Sequence, residues 1–372
     1  TLGTSPQVNQ SGVANAAWNW KAGGTAPSQT YVVKVVSDSG NKYRFDDFGT
    51  SAVTLDLQEG GTYTFDQSDS SNSGHPLRFS TTSNGSHGGG SEYTTGVTTN
   101  GTPGSSGAYT RITVAASAPT LYYYCTSHSG MGGQANTNSL FGSSNFSGSI
   151  QSTVSVNATA GFSIVSYTGT GATATIGHGL GVAPKMIIVK QRDNTRNWVV
   201  GHNGLGWTKY LYLDSNQASA TGNFFNDTTP SSTVFNVVND SGVNASGGTY
   251  IAYCFAEKTG YSKIGSYEGN GNANGPFVYT GFKPAFVMVK RYDGDGLSWR
   301  FFDSKRNYNG DREFMYANLT DSEVGGDNMD FLSNGFKSRN TSGHQNGNGD
   351  DYIYMAFGQS LVGSNNVPAT AR

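Results

Sequence analysis

The feature of this chain that most constrains its fold is an internal duplication. Residues 184–193, Pro-Lys-Met-Ile-Ile-Val-Lys-Gln-Arg-Asp, return as residues 284–293, Pro-Ala-Phe-Val-Met-Val-Lys-Arg-Tyr-Asp, at an offset of 100 positions. A period of this length has the size of a whole β-sandwich domain and is too long for a solenoid unit. We therefore predict two copies of one β module, at residues 161–259 and 260–360, joined like beads with almost no linker.

Short strands joined by many turns are predicted throughout the chain. Branched and aromatic runs, such as residues 31–36 and 53–57, are separated by clusters of Gly, Asn, Asp and Ser, and Gly accounts for 52 of the 372 residues. This pattern is typical of all-β sandwiches and barrels, and no segment has a convincing helical pattern. The expected fold class is all-β, with a sandwich domain followed by two homologous β-sandwich-type modules in tandem.

Charge and cysteine content exclude several classes of protein. A net charge of −2 with scattered basic residues argues against a nucleic-acid partner, because binding to phosphates requires clustered Lys and Arg. No apolar run reaches membrane-spanning length, so no membrane insertion is expected. The two cysteines, Cys125 and Cys254, lie in unrelated contexts and are interpreted as isolated rather than bridged.

No catalytic constellation is evident in the sequence. The carboxylates lie mostly in turn-like contexts, for example at Asp293 and Asp295, and no pair stands out as suited to glycoside hydrolysis. The Gly-rich stretches that follow the first strand of each module have no helix after them, as a phosphate-binding loop would require. A Gly-x-Ser-x-Gly nucleophile elbow is also absent. We therefore expect that the protein is not an enzyme.

One short loop carries metal-ligand residue types at a close spacing. Cys125, His128 and Met131 follow an aromatic run at residues 121–124, and His75 lies upstream, just before a short alternating apolar segment. A thiolate, two imidazoles and a weak axial thioether are the ligands of blue-copper sites, because soft sulfur and borderline nitrogen suit copper. The alternative is a buried structural cysteine with two histidines as polar loop residues.

Around these ligands, residues 28–134 resemble the cupredoxin family. The Cys-x2-His-x2-Met loop is similar to the short ligand loop of amicyanin-like blue copper proteins, which implies a cupredoxin-like Greek-key sandwich and copper as the cofactor. The resemblance implies that His75 and His128 supply imidazole nitrogens, Cys125 the thiolate and Met131 the axial sulfur. A polar insert upstream of the cysteine, residues 83–92, Ser-Asn-Gly-Ser-His-Gly-Gly-Gly-Ser-Glu, departs from the compact hairpins of the family.

The remainder of the chain, residues 161–360, resembles repeated β domains found in virion proteins of marine and cyanobacterial tailed phages. The resemblance is carried by residues 177–185, Gly-His-Gly-Leu-Gly-Val-Ala-Pro-Lys, and residues 247–257, Gly-Gly-Thr-Tyr-Ile-Ala-Tyr-Cys-Phe-Ala-Glu. It implies a structural or adhesive subunit of a phage virion appendage or an extracellular fibre, on the virion surface or outside the cell. The implied partners are further copies of the chain, other virion proteins and host-surface glycans.

Two functions are therefore open. In the first, the chain is a structural subunit whose cupredoxin-like domain is a scaffold, and any bound copper stabilises the fold because it binds only the native state. In the second, the chain is a copper electron-transfer protein with two anchoring β modules. The Ser-rich sequence around His128 favours the first, because an electron-transfer partner would be expected to dock on an apolar patch around that histidine.

The ends of the chain complete the predicted organisation. Residues 1–27 are expected to form an N-terminal strand and assembly segment, residues 135–160 a linker and residues 361–372 a C-terminal tail. Trp18 and Trp20 resemble the apolar residues of a module's closing strand, although no module precedes them. We expect this strand to add to a sheet of a neighbouring subunit and to build a homo-oligomeric filament or fibre. The alternative is a longer precursor that supplied the missing module.

Overall fold

The computed structural model describes residues 17–23, 26–139, 142–306, 313–326 and 329–358. These residues form strands joined by turns and by three short 3-10 helices, Ser70–Asn72, Gly85–Gly88 and Asn203–Leu205. The all-β fold class predicted from the sequence is confirmed. No helix among the described residues is both long and apolar enough to cross a bilayer.

The first nine strands form two sheets around one core. Their bounds are Ser28–Ser37 (β1), Asn41–Phe45 (β2), Leu55–Gln58 (β3), Thr62–Asp66 (β4), Leu77–Ser80 (β5), Val97–Asn100 (β6), Tyr109–Thr113 (β7), Leu121–Cys125 (β8) and Gly133–Ser139 (β9). The strand orders are β2-β1-β4-β7-β6 and β3-β9-β8-β5. β4 shows why these segments form strands: Tyr63 and Phe65 alternate with threonines, so one face of the strand enters an aromatic core.

Ten further strands form the first β module. Their bounds are Ser143–Asn145 (β10), Ser152–Asn157 (β11), Phe162–Thr168 (β12), Ala174–Gly177 (β13), Met186–Gln191 (β14), Val199–His202 (β15), Lys209–Tyr212 (β16), Ala220–Thr221 (β17), Val234–Val237 (β18) and Thr249–Phe255 (β19). One sheet has the order β10-β11-β12-β19-β14-β15-β16-β17, and β13 pairs with β18 in a second, smaller sheet.

The last eight strands form the second β module. Their bounds are Ser262–Glu268 (β20), Phe277–Tyr279 (β21), Pro284–Arg291 (β22), Arg300–Asp303 (β23), Met315–Tyr316 (β24), Met329–Leu332 (β25), Gly335–Ser338 (β26) and Asp351–Gly358 (β27). The sheet β20-β27-β22-β23-β24 has the same chain-order pattern as β12-β19-β14-β15-β16 of the first module. The second sheet, β21-β26-β25, corresponds to the pair β13-β18 with one strand added.

The two modules pack face to face and do not hang together as beads. The apolar run of β14 is buried on both faces: Ile187 and Val189 enter the core of the first module, while Met186 and Ile188 enter a core between the modules. In β22, alternate residues divide between the second module's own core and the same shared core. The continuous apolar runs in the sequence therefore mark strands covered on both sides.

The structure corrects the predicted linker at residues 135–160. β9 completes the second sheet of the N-terminal sandwich, and β10 and β11 extend the large sheet of the first module. Residues of the predicted linker are held by backbone ladders: Ser152–Asn157 pairs along its full length with β12.

Trp18 and Trp20, the predicted assembly residues, are both partly buried against the modules of their own chain. The described part of the N-terminal segment, residues 17–23, contains no strand. The Trp20 ring lies 5.4 to 6.0 Å from three phenylalanine rings of the core between the modules, and Trp18 packs on the second module, where its Nε1 donates to Asp303 at 3.1 Å. The predicted contact of residues 11–23 with another chain stays a prediction, and residues 1–16 lie outside the described residues.

Candidate metal centre

Strand pairing brings together three of the side chains that the sequence nominated as metal ligands. Cys125 is the last residue of β8, which runs antiparallel to β5 with Cys125 opposite Leu77. His75 lies two residues before β5, so the start of β5 places it beside the end of β8. His128 follows on the loop between β8 and β9. The sandwich thus holds one ligand at a strand end and two on adjoining loops.

The distances between these side chains fit a single metal ion. Cys125 Sγ lies 3.9 Å from His75 Nδ1 and 3.7 Å from His128 Nδ1, and the two imidazole centroids are 4.5 Å apart. With bonds of about 2.3 Å to sulfur and about 2.05 Å to nitrogen, a trigonal site separates sulfur from each nitrogen by about 3.8 Å. The observed distances bracket that value. Within the described ranges, this is the one group of three or more His, Cys, Asp or Glu side chains close enough to share an ion.

Met131, the predicted axial ligand, lies in the adjacent apolar core. It is 1% exposed and belongs to the same buried cluster as Cys125. Its backbone carbonyl accepts a hydrogen bond from Tyr43 N at 3.0 Å, which ties the end of the ligand loop to β2. The structure therefore places Met131 in the buried cluster that contains Cys125.

The protonation state of His75 suits a metal ligand. Burial, together with the neighbouring His128, lowers the pKa of His75 below its usual value. The imidazole is therefore neutral at pH 7, and its ring lone pair is available, because a metal can bind only the unprotonated nitrogen.

Two buried side chains that the sequence did not reveal hold the backbone of His75. Tyr43 Oη donates to the His75 carbonyl at 2.9 Å, and Gln67 Nε2 donates to the same carbonyl at 2.8 Å. Gln67 Oε1 also accepts from Leu77 N at 3.1 Å. Burial and the nearby Cys125 raise the pKa of Tyr43, so its hydroxyl stays protonated and can donate. No local pattern in the sequence connects these residues to the site, because the contacts are made across sheets.

The polar insert upstream of Cys125 also reaches the ligand loop. Asn84 Oδ1 accepts from Gly130 N at 2.8 Å, and His87 Nε2 lies 3.1 Å from the Cys125 carbonyl. The sequence already marked this insert as unusual, because its polar residues differ from the compact hairpins of cupredoxins. Its contacts place this departure beside the candidate metal centre.

Solvent reaches the centre from the side of His128. Cys125 is fully buried, His75 is half-buried and His128 is exposed. Ser127 and Ser129, which flank His128, are exposed as well. The surface around the candidate centre is therefore open and polar, as the Ser-rich sequence suggested.

These observations define an all-β protein with a candidate mononuclear metal centre in its N-terminal sandwich. Residues 134–360 match the model of a family described as a domain of unknown function, DUF7483, and the chain belongs to that family. The matched region begins just after Met131 and covers both β modules, whereas the metal-ligand residues precede it. No curated protein and no solved structure matches the chain.

Proposed function

We propose that this chain is a copper-binding structural protein. Its N-terminal domain would hold one copper ion at His75, Cys125 and His128, with Met131 as the axial sulfur. The observation that carries this proposal is the convergence of one thiol and two imidazoles at sulfur–nitrogen distances of 3.7 and 3.9 Å. Sulfur and imidazole donors suit copper, whereas calcium and magnesium require oxygen ligands.

Each residue has a separate part in this proposal. Cys125 supplies a thiolate that is shielded from solvent by burial. His75 supplies an imidazole nitrogen, and hydrogen bonds to its backbone carbonyl hold the residue in place. His128 supplies a second imidazole nitrogen at the surface. When bound, copper supplies a one-electron couple and an intense thiolate-to-metal absorption band.

Titration of the metal-free protein with Cu(II) tests the proposal. One equivalent should produce a strong visible band, because a cysteine thiolate binds the ion directly. Cys125→Ser should abolish the band. The matched control is Cys254→Ala, which removes the other buried free cysteine, far along the chain in β19, and should leave the band intact. A wild-type protein without the band, or a band that survives Cys125→Ser, would contradict the proposal.

The β modules are proposed to make the chain a structural or adhesive subunit of a virion appendage or an extracellular fibre. An exposed strand edge supports self-association. β21 is the outer strand of its sheet, and its side chains Phe277 and Tyr279 are 45% and 63% exposed. The corresponding strand of the first module, β13, is covered: Ser149 N and Ile150 N both donate to the Thr175 carbonyl. In the described part of the chain, no segment covers β21 in this way.

A double substitution tests this part of the proposal. An uncovered strand edge with exposed aromatic residues favours pairing with another chain. Phe277→Ser combined with Tyr279→Ser should therefore shift the protein from oligomers to monomers in sedimentation velocity experiments. Val182→Ser changes another exposed apolar residue, which is 43% exposed in the first module, and should leave the distribution unchanged. Identical sedimentation of the wild type and the double variant would refute self-association through β21.

Electron transfer is the second candidate function, and the exposure of His128 favours it. An exposed ligand edge gives a redox partner a short path to the metal. The polar surroundings of that edge fit a transient partner less well than an apolar patch would. Rapid reversible bleaching of the copper band by a small outer-sphere reductant would support this function, whereas a centre that resists reduction would support a purely structural role.

A further inference from the structure

The polar insert makes a specific two-point contact with the ligand loop. Asn84 Nδ2 donates to Ser129 Oγ at 2.8 Å, and Asn84 Oδ1 accepts from Gly130 N at 2.8 Å. Ser129 and Gly130 are the two residues that separate His128 from Met131. One amide group therefore fixes the short connection between two of the candidate ligands.

The amide of Asn84 is not engaged in its own turn. Asn84 precedes the 3-10 helix Gly85–Gly88, where asparagine often caps the helix, yet its side chain makes no capping hydrogen bond. Its backbone is in the left-handed region, with φ at 62°. Asparagine adopts this conformation more readily than most residues, so the same residue type suits both the backbone and the contact with the loop.

The insert is itself fixed to the strand that carries Cys125. Gly85 is buried against the ring of Tyr124, and a Cβ at this position would overlap the ring. Ser80 Oγ, at the end of β5, donates to the Ser91 carbonyl at 2.8 Å. The insert can therefore act as a rigid support, because both of its ends are held by strands of the sheet beneath the metal centre.

The peptide groups on both sides of Gly130 are held. Its N–H donates to Asn84, and its carbonyl accepts a hydrogen bond from Lys42 Nζ. Gly130 has φ at 74°, a conformation that glycine adopts without strain. Fixing these two consecutive peptide groups limits the rotation of the loop between His128 and Met131.

We propose that Asn84 is a positioning residue for the metal centre. Its amide holds the ligand loop in the geometry that brings His128 Nδ1 to Cys125 Sγ before any ion binds. This inference rests on the proposed copper function. It predicts that the protein, rather than the ion, sets the coordination geometry, because outer residues that orient ligands tune both affinity and electronic structure.

The test compares Asn84→Gly with Asn226→Gly. Asn84→Gly keeps the left-handed backbone accessible and removes both side-chain bonds. Asn226 is an exposed asparagine in the first module with φ at 54°, so Asn226→Gly makes the same chemical change away from the centre. The readouts are Cu(II) affinity, the electron paramagnetic resonance spectrum of the copper form, its reduction potential, and hydrogen exchange at the Gly130 amide in the metal-free protein.

Asn84→Gly should still bind copper, with affinity lowered about 10- to 100-fold, an altered resonance spectrum and a shifted potential. Protection of the Gly130 amide should be lost even without metal. Asn226→Gly should match the wild type in every readout. If Asn84→Gly does not fold, Asn84→Asp replaces it: this variant keeps the acceptor for Gly130 N, loses the donor to Ser129, and should give an intermediate change.

Unchanged spectrum, potential and affinity in the copper form of Asn84→Gly would overturn the positioning role. A wild-type protein that binds no copper would instead overturn the proposed function, and the positioning role with it. The two failures are distinguishable, because in the first the wild-type copper band is present and only the variant comparison fails.

Discussion

The two β modules keep the same bonds inside their loops but differ in the strand that faces the rest of the molecule. Asn244 and Asn346 are both fully buried, and each accepts from a backbone N–H and donates to a backbone carbonyl of the loop that follows β12 or β20, respectively. Tyr250 and Tyr352 stack on Tyr167 and Tyr267 with the same 14° between ring planes. Two copies of one module would make these equivalent contacts.

The difference lies at equivalent positions in β15 and β23. His202 pairs with Met186 in the first module, and Asp303 pairs with Phe286 in the second. His202 Nε2 lies 3.2 Å from the Tyr354 carbonyl of the second module, and its Nδ1 accepts from Gly204 N at 2.9 Å.

Asp303 has a different set of partners. Its Oδ2 accepts from Trp18 Nε1 at 3.1 Å and from Arg306 Nη2 at 2.7 Å. In the first module, the residue at this strand position, His202, therefore contacts the second module. In the second module, the equivalent residue, Asp303, contacts the N-terminal segment. The buried asparagines bond within their own module, whereas His202 and Asp303 contact different neighbours.

Lowering the pH should reduce the stability of the protein through His202, and this is the largest effect expected. Burial lowers the pKa of His202 from its usual value of 6.5 to about 4. As the pH falls, the imidazole of His202 binds a proton in the unfolded chain before it does so in the folded chain. The contribution of neutral His202 to folding stability is therefore complete above about pH 6.5 and is lost as the pH falls through 4. Between pH 7 and pH 4 the loss is at most about 3 kcal/mol. His202→Gln should remove that part of the pH dependence, since its amide can donate to Tyr354 but does not titrate.

Denaturant unfolding at several pH values checks this prediction, with Trp299 of the core between the modules as a fluorescence reporter. Asp303→Asn is the matched control. Burial would raise the pKa of Asp303, but hydrogen bonds from Arg306 and from Lys305 N outweigh burial and lower it. Its stability contribution is therefore present above its unfolded pKa of about 3.9 and is lost below it. Equal pH profiles for the wild type and His202→Gln would show that the His202 contact carries no such dependence.

Local patterns in the sequence predicted the strands well. The repeated apolar runs marked β14 and β22 correctly, because a strand covered on both faces needs apolar residues at consecutive positions. The same patterns did not show that Met186 and Phe286 face a shared core, since periodicity reports burial and not the identity of the covering surface. Trp20 illustrates this limit: its apolar character suggested another subunit, and in the structure it is partly buried against phenylalanines of its own chain.

The candidate centre was predictable to the extent that its ligands lie on one loop. Cys125 and His128 are three positions apart, and residue type together with spacing suggested their chemistry. Asn84, Tyr43 and Gln67 were not predictable as supports, because their contacts depend on how sheets and inserts pack. Their residue types are common in turns and cores, so nothing in the local sequence separates them from structural residues.

The equivalence of the two modules can be tested most directly at their buried asparagines. Asn244→Ala leaves the Thr170 N–H and the Ala172 carbonyl without their partner, and Asn346→Ala does the same to Asn270 N–H and the Asn272 carbonyl. Each substitution should lower the free energy of unfolding by about 2 kcal/mol, the cost of buried backbone groups that lose their hydrogen bonds.

Urea denaturation measures both losses, with Asn197→Ala as a control at an exposed asparagine, where a change within about 0.5 kcal/mol is expected. Asn346 Nδ2 also donates to the Asn340 carbonyl at 2.7 Å, so the loss at Asn346 should equal that at Asn244 or exceed it by about 1 kcal/mol. A large loss in one module and none in the other would mean that the equivalent bonds do not contribute equally to stability. The two copies would then share strand order and hydrogen bonds but differ in how much of their stability depends on this loop.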